Sequence, residues 1–259
     1  MGGNIERRKS ELLGKEFDTN NSGKCFIIDY KGERQVTVMF YEPIFVVNCA
    51  YSHLVRGEVS NPFYPSVCGV GYIGVGKYRP KKDSQAYLHW KGVLSRVYDA
   101  TSLVKNPTYK GTTVDTEWLN FQNFAEWCYK QKGFDSKDGK GRKYQLDKDI
   151  LIKGNKVYSP ETCCFVPQEI NLLFCKSDAI RGKVPIGVTY DKSRNKYAAR
   201  VTCNNTYIHF GRHNTLEQAF AAYKKAKEEN IKVLASKWQT CVDVRVFEAL
   251  VNYQVDITD

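Results

Sequence analysis

Two hydrophobic rhythms alternate along the chain. Between residues 14 and 62, CFIIDY, QVTVMFY and IFVVNCAY place apolar residues at alternate positions and are rich in β-branched and aromatic side chains. They predict short strands, with Lys31-Gly32 as a hairpin turn. The stretch NPFYPSVCGVGYIGVGKYRPKK breaks the pattern with prolines and glycines and predicts an irregular connector. From Gln85 the period lengthens. Tyr87, Trp90, Leu94, Val97 and Tyr98 share one helical face, with Lys91 and Arg96 turned away, and Trp118, Phe121, Phe124, Ala125 and Cys128 predict a second helix from Glu117. The polar run DSKDGKGRK, 135–143, predicts a mobile loop.

Beyond it, YQLDKDILI and VYSPETCCFV predict two strands around the turn KGNK, followed by a short helix opened by Pro167 and carrying Gln168, Glu169, Ile170, Asn171, Leu173 and Phe174. The next run repeats this order with one strand more. PIGVTYD, KYAARVTC and TYIHFGR, separated by the turns DKSRN and NN, precede a helix with Thr215 and Glu217 in its first turn. Leu216, Ala219, Phe220, Tyr223 and Ala226 line one face of that helix, and Lys224, Lys225 and Lys227 lie toward the other. In the last stretch Val244, Phe247, Leu250 and Val251 share a helical face. The expected class is α+β, in four segments: a small N-terminal β module (1–62), a core of strands with flanking helices (63–182), a three-stranded antiparallel sheet packed on one helix (183–238), and a C-terminal helix and tail (239–259).

Charge sharpens the picture. The chain carries 39 Lys and Arg against 28 Asp and Glu, a net charge of +11. The balance is 8 to 8 in the first segment, 19 to 12 in the second, 11 to 4 in the third and 1 to 4 in the last. The excess sits where it can attract a polyanion by displacing counterions. Nine cysteines without a CxxC pair argue against a zinc ribbon and fit reduced thiols packed as small apolar groups. A charged start, MGGNIERRKSELLGKEF, and the lack of a long apolar run lead to the expectation of a cytoplasmic protein with no membrane partner.

Alternation along KYAARVTC puts Tyr197, Ala199 and Val201 on one side and Lys196, Ala198 and Arg200 on the other. With Lys192 and Arg194 in the preceding turn and Arg212 ending the third strand, the exposed side gathers cations suited to phosphates or to the O6 and N7 edge of guanine.

The pattern GV-x-YD, NKYAARV and FG-x-x-NTLEQAFAAY resembles the APETALA2-type DNA-binding domain over about 55 residues. The family's Gly-Val pair falls on Gly187-Val188, its Lys-aromatic pair on Lys196-Tyr197 and its Leu-Gly on Phe210-Gly211. The resemblance implies double-stranded DNA as partner, contacted through Lys192, Arg194, Lys196, Tyr197, Arg200 and Arg212. Ile186 stands where the plant domains carry an arginine, so that residue's base reading does not carry over.

The middle segment resembles the HNH-like, His-Me finger endonucleases that phages encode, on AYLHWKGVLSRVYD, YKGTTVDTEWLNFQNFAEW and LDKDILIKGNKVYSPETCCFVPQEINLLF. That likeness implies a ββα core and metal-dependent hydrolysis of a DNA phosphodiester. Asp147 and Asn171 are the implied magnesium ligands. The histidine expected on the first strand is replaced by Asp147-Lys148-Asp149, which leaves Asp149 or His89 as the implied base. The alternative is an inactive scaffold that binds DNA as a regulator, or a host or defence protein as a counter-defence factor.

Overall fold

A computed structural model describes residues 2–174, 184–203 and 206–259, the side chains of residues 2, 3, 202, 203, 206 and 207 excepted. The expected NN turn and the segment boundary at 182 lie outside the described residues. The chain is α+β and divides into two compact units, residues 1–129 with 156–159, and residues 130–155 with 160–259. These outlines cut across the four segments read from pattern and charge.

The first unit opens on α1 (Gly2–Leu12), which the sparse apolar pattern of its sequence does not signal. Ion pairs from Arg8 to Glu33 (2.8 Å) and from Lys9 to Asp29 (2.7 Å) fasten it to a four-stranded antiparallel meander. The strands are β1 (Glu16–Asp18), β2 (Lys24–Tyr30), β3 (Val36–Phe40) and β4 (Phe45–Cys49), in that order. Their alternation works as predicted: Cys25, Ile27, Val36, Val38 and Phe40 are buried with Leu12, Leu54 and Val59. After the short α2 (Tyr51–Val55), the connector is irregular. Then come α3 (Ser84–Tyr98), α4 (Ala100–Lys105) and α5 (Phe121–Lys130), of which α3 and α5 contribute to a cluster of rings. Trp118 lies 4.6 Å from Trp127 and 4.9 Å from Phe124, and Trp90 donates its indole N–H to the Trp118 carbonyl at 2.7 Å.

In the second unit the expected hairpin is shorter than its sequence pattern. Only β6 (Gln145–Asp147) is extended, and it pairs antiparallel with β8 (Cys164–Val166). Between them β7 (Val157–Tyr158) belongs to the first unit, where it pairs in parallel with β5 (Thr113–Val114). A four-residue helix, α6 (Gln168–Asn171), follows β8. Then come β9 (Val188–Asp191), β10 (Lys196–Cys203) and β11 (Thr206–His213), an antiparallel sheet ordered β11-β10-β9.

The spine of this unit is α7 (Leu216–Trp238). Thr215 caps it by accepting from the Gln218 N–H. Its first half contributes Ala219, Phe220, Tyr223 and Ala226 to one core, with Val188, Ala199 and Val201 of the sheet. Its second half contributes Ile231 and Ala235 to another, with Ile150, Cys164, Val166 and Ile170, and with Val246 and Leu250 of α8 (Val244–Val251). The apolar face of α8 therefore packs within the unit, although Val244 points to solvent at 64 % exposure and Val246 takes the buried place. Residues 135–143 are an ordered turn rather than a mobile loop. The buried Asp138 carboxylate accepts from the backbone N–H groups of Lys140 and Arg142 and from the Arg142 guanidinium at 2.7 Å, which holds its pKa below the usual range.

Cys25, Cys49, Cys68, Cys128, Cys163, Cys164 and Cys241 are free thiols, as the scattered spacing leads one to expect. Among the described residues no helix is long and apolar enough to cross a membrane.

Candidate nucleic-acid interface

The two faces of the C-terminal sheet follow from the core just described. Ala199 and Val201 point at α7, so Lys196, Ala198 and Arg200 stand on the opposite face. Register extends that face to both neighbours. On β9, Thr189 is opposite Ala198 and Asp191 is opposite Lys196. On β11, Arg212 is opposite Ala198 and His209 is opposite Arg200. A bulge sets Phe210 and Gly211 against Ala199 alone, and Gly211 adopts φ +97°, which an L side chain rarely tolerates. The extra residue allows Arg212 and His209, three apart, to share one face.

Cations dominate this face and its adjoining turn, yet three are already engaged. The Asp191 carboxylate accepts from Ser193 Oγ at 2.7 Å, from Arg212 Nε at 3.1 Å and from Arg194 Nη1 at 3.3 Å. The Ser193 hydroxyl and then the Arg212 guanidinium hold that carboxyl far below the usual carboxylate range. Arg200 is half-buried and donates from Nη2 to Thr189 Oγ1 at 2.6 Å, while its Nε is enclosed without an acceptor. Lys192 and Lys196 are exposed, the first in the turn and the second at the start of β10.

Among the expected contact residues, Tyr197 is placed apart from the arginines. It lies on the face toward α7, packed against that core and with its ring centroid 5.1 Å from that of Tyr190. Ile186 also packs there, which accounts for an apolar residue at that position. Sequence reading missed Thr189 and Asp191, the two acceptors that hold the arginines. Alternation along VTYD was the available signal, since it puts both on the side of Lys196.

The implied catalytic residues fall elsewhere. Asp147 ends β6, and its Oδ1 accepts from the backbone N–H groups of Asp149 and Ile150 at 2.8 and 2.9 Å, closing a turn. Burial pushes its carboxyl up to about 6, and the neighbouring Asp149 carboxylate acts in the same direction. Asp149 therefore lies in the turn rather than on a strand, and the buried Lys148 ammonium meets its carboxylate at 3.1 Å. Asn171, on α6, donates to Gln145 Oε1 at 2.6 Å. Thus β6, β8 and α6 do bring Asp147 and Asn171 to neighbouring elements, but each amide or carboxylate already serves a local bond. His89 sits on α3 with its Nε2 2.9 Å from Gln85 Nε2 and belongs to the other compact unit from Asp147.

Magnesium takes six oxygen ligands in near-ideal octahedral geometry. Asp147 Oδ1 is occupied by two backbone donors and Asn171 is turned to Gln145, and among the described residues no three His, Cys, Asp or Glu side chains converge. Asp147 Oδ1 and the Asn171 amide N–H thus serve bonds within the chain.

Comparison with family models, with curated proteins and with solved structures finds no match to this chain.

Proposed function

We propose that the protein binds duplex DNA, without chemistry of its own, through the basic face of the β9–β10–β11 sheet. The observation that carries this reading is the segregation of the sheet: its core side is apolar, and its other side and adjoining turn present Lys192, Arg194, Lys196, Arg200 and Arg212. A twisted three-stranded sheet with a basic outer face suits the major groove, where phosphates fix the register and guanidinium groups meet base edges.

Fluorescence anisotropy of a labelled duplex against the full chain tests this, with binding at low salt expected to weaken steeply as salt rises. Retention that ignores salt, or no binding at 50 mM salt, rules it out. The HNH resemblance adds the hydrolytic alternative. Since Asp147 Oδ1 and the Asn171 amide N–H serve local bonds and β6 carries no histidine, supercoiled plasmid incubated with magnesium or manganese is expected to remain uncut. Nicking that disappears in Asp147→Ala would establish the enzyme instead.

A further inference from the structure

The meander of the first unit treats its two edges differently. At one edge β1 is three residues long and carries Glu16 and Asp18, both exposed, and short charged strands are how sheets keep foreign strands away. At the other edge stands β4, with β3 on one side and, among the described residues, no strand on the other. It lacks those guards. No residue from Pro43 to Tyr51 is charged, and the register of β4 with β3 runs through all five residues without a bulge.

Both sides of this edge are apolar. Phe45, Val47 and Cys49 face the core yet are only partly buried, whereas their register partners Phe40, Val38 and Val36 are fully buried. On the side away from the core, Phe26, Met39 and Val46 stand abreast across three strands, with Val46 48 % exposed. An antiparallel sheet with one solvated face ordinarily carries polar residues there. Apolar side chains on both sides and a row of edge N–H and C=O groups between them are what another β-strand would cover.

We infer that β4 pairs antiparallel with β4 of a second copy of this chain, joining two four-stranded meanders into one continuous sheet. The strand is its own complement. With all five residues paired, the two copies of Val47 meet at the two-fold axis, Phe45 lies opposite Cys49 and Val46 opposite Asn48, so no like charges face each other. Charge favours the same place on the scale of the chain. Two copies of a molecule of net charge +11 repel, but residues 1–62 hold 8 Lys and Arg against 8 Asp and Glu, so copies can approach through this module. The contact is isologous, and the edges left over are the charged β1 strands, so assembly closes at two copies.

Sedimentation velocity of the nuclease-treated full chain over a concentration series tests this. Wild type is expected to reach twice the chain mass and to stay associated as salt rises, because the contact is apolar and main-chain. Amide exchange in the β4 segment should slow as the dimer forms. Val46→Lys, at an outward position, sets two ammonium groups near the axis and should weaken association at least about tenfold, the least that like charges across an interface impose. Val46→Thr keeps a β-branched side chain and should stay within about threefold of wild type. Asn48, also exposed, gives the same test as Asn48→Lys if Val46→Lys melts early. A monomeric wild type leaves the edge to a strand of another protein and overturns the inference. So do a dimer that dissociates in salt, β4 exchange that ignores concentration, assemblies larger than two copies, and a folded lysine variant that dimerises like wild type.

Discussion

Asp147 carries a carboxyl displaced from its ordinary range. Its carboxyl titrates near 6 because burial penalises the charge and Asp149 adds repulsion. In the unfolded chain an aspartate titrates near 3.9. Between these values the folded protein binds the extra proton, so the slope of stability against pH is negative there. Stability from this group is present when it is protonated and is lost as pH rises through about 6. Asp191 and Asp138 have lowered pKa values, so their contribution has the opposite sign and is lost only as pH falls below the ordinary carboxylate range. Asp147→Asn retains an oxygen for the backbone N–H groups of Asp149 and Ile150, and asparagine suits such turns. It should raise stability above pH 7 by on the order of 1 kcal/mol, discounted because Asp147 is only half-buried, and flatten the decline between about pH 4 and 6. Urea unfolding of wild type and variant at pH 5 and pH 7.5 measures both effects. A variant less stable than wild type at pH 7.5 would place a favourable partner on the ionised carboxylate.

Among the secondary-structure elements, the sheet and α7 lock at one glycine. Gly187 adopts φ +75°, and a Cβ there would collide with the Tyr223 ring. Left-handed backbone costs about 1–2 kcal/mol for a residue with a side chain, and overpacking typically adds about 1–3. Gly187→Ala is expected to lower stability by about 2–4 kcal/mol, read as a drop in the urea midpoint at constant slope, with DNA affinity falling alongside. Here the sequence was informative: strand alternation, the capping Thr215 and the apolar stripe of α7 are short-range signals, and they located the C-terminal sheet and its faces. The middle hairpin was less legible. YQLDKDILI looks extended by composition, but the Asp147 side chain captures two backbone N–H groups and turns the chain at once. Val157 and Tyr158 then find their partner in β5, more than 40 residues away in sequence, and no local pattern encodes that pairing. The polar run 135–143 misled for a similar reason, since one buried aspartate organises it. The candidate interface was legible as a charge pattern, whereas the engagement of Arg194 and Arg212 by Asp191 depends on a register that the Gly211 bulge sets.

For the whole molecule, the decisive quantity is how many cations a polyanion can recruit. A net charge of +11 spread over the chain would give diffuse attraction, but a sheet face supplies a count: Lys192, Arg194, Lys196, Arg200 and Arg212. If each neutralises one phosphate, the slope of log affinity against log salt is about −4 to −5, and affinity falls several hundredfold between 50 and 200 mM salt. The internal pairing with Asp191 lessens this, because a phosphate has to compete with or share the two arginines it holds. Arg200→Ala with Arg212→Ala should make the slope shallower by about 2 and weaken low-salt binding. The two are not equivalent in the folded state. Arg212 is 47 % exposed, and its loss removes only a surface pair, worth about 0–1 kcal/mol. Arg200 is half-buried and bonded to Thr189, so its truncation costs about 1 kcal/mol through a lost hydrogen bond and packed methylenes. The double variant is therefore expected to melt only a few degrees below wild type while binding far more weakly. A much larger fall in melting temperature would mean that these side chains hold the sheet together, and an unchanged salt slope in a folded double variant would move the DNA contact to another face of the protein.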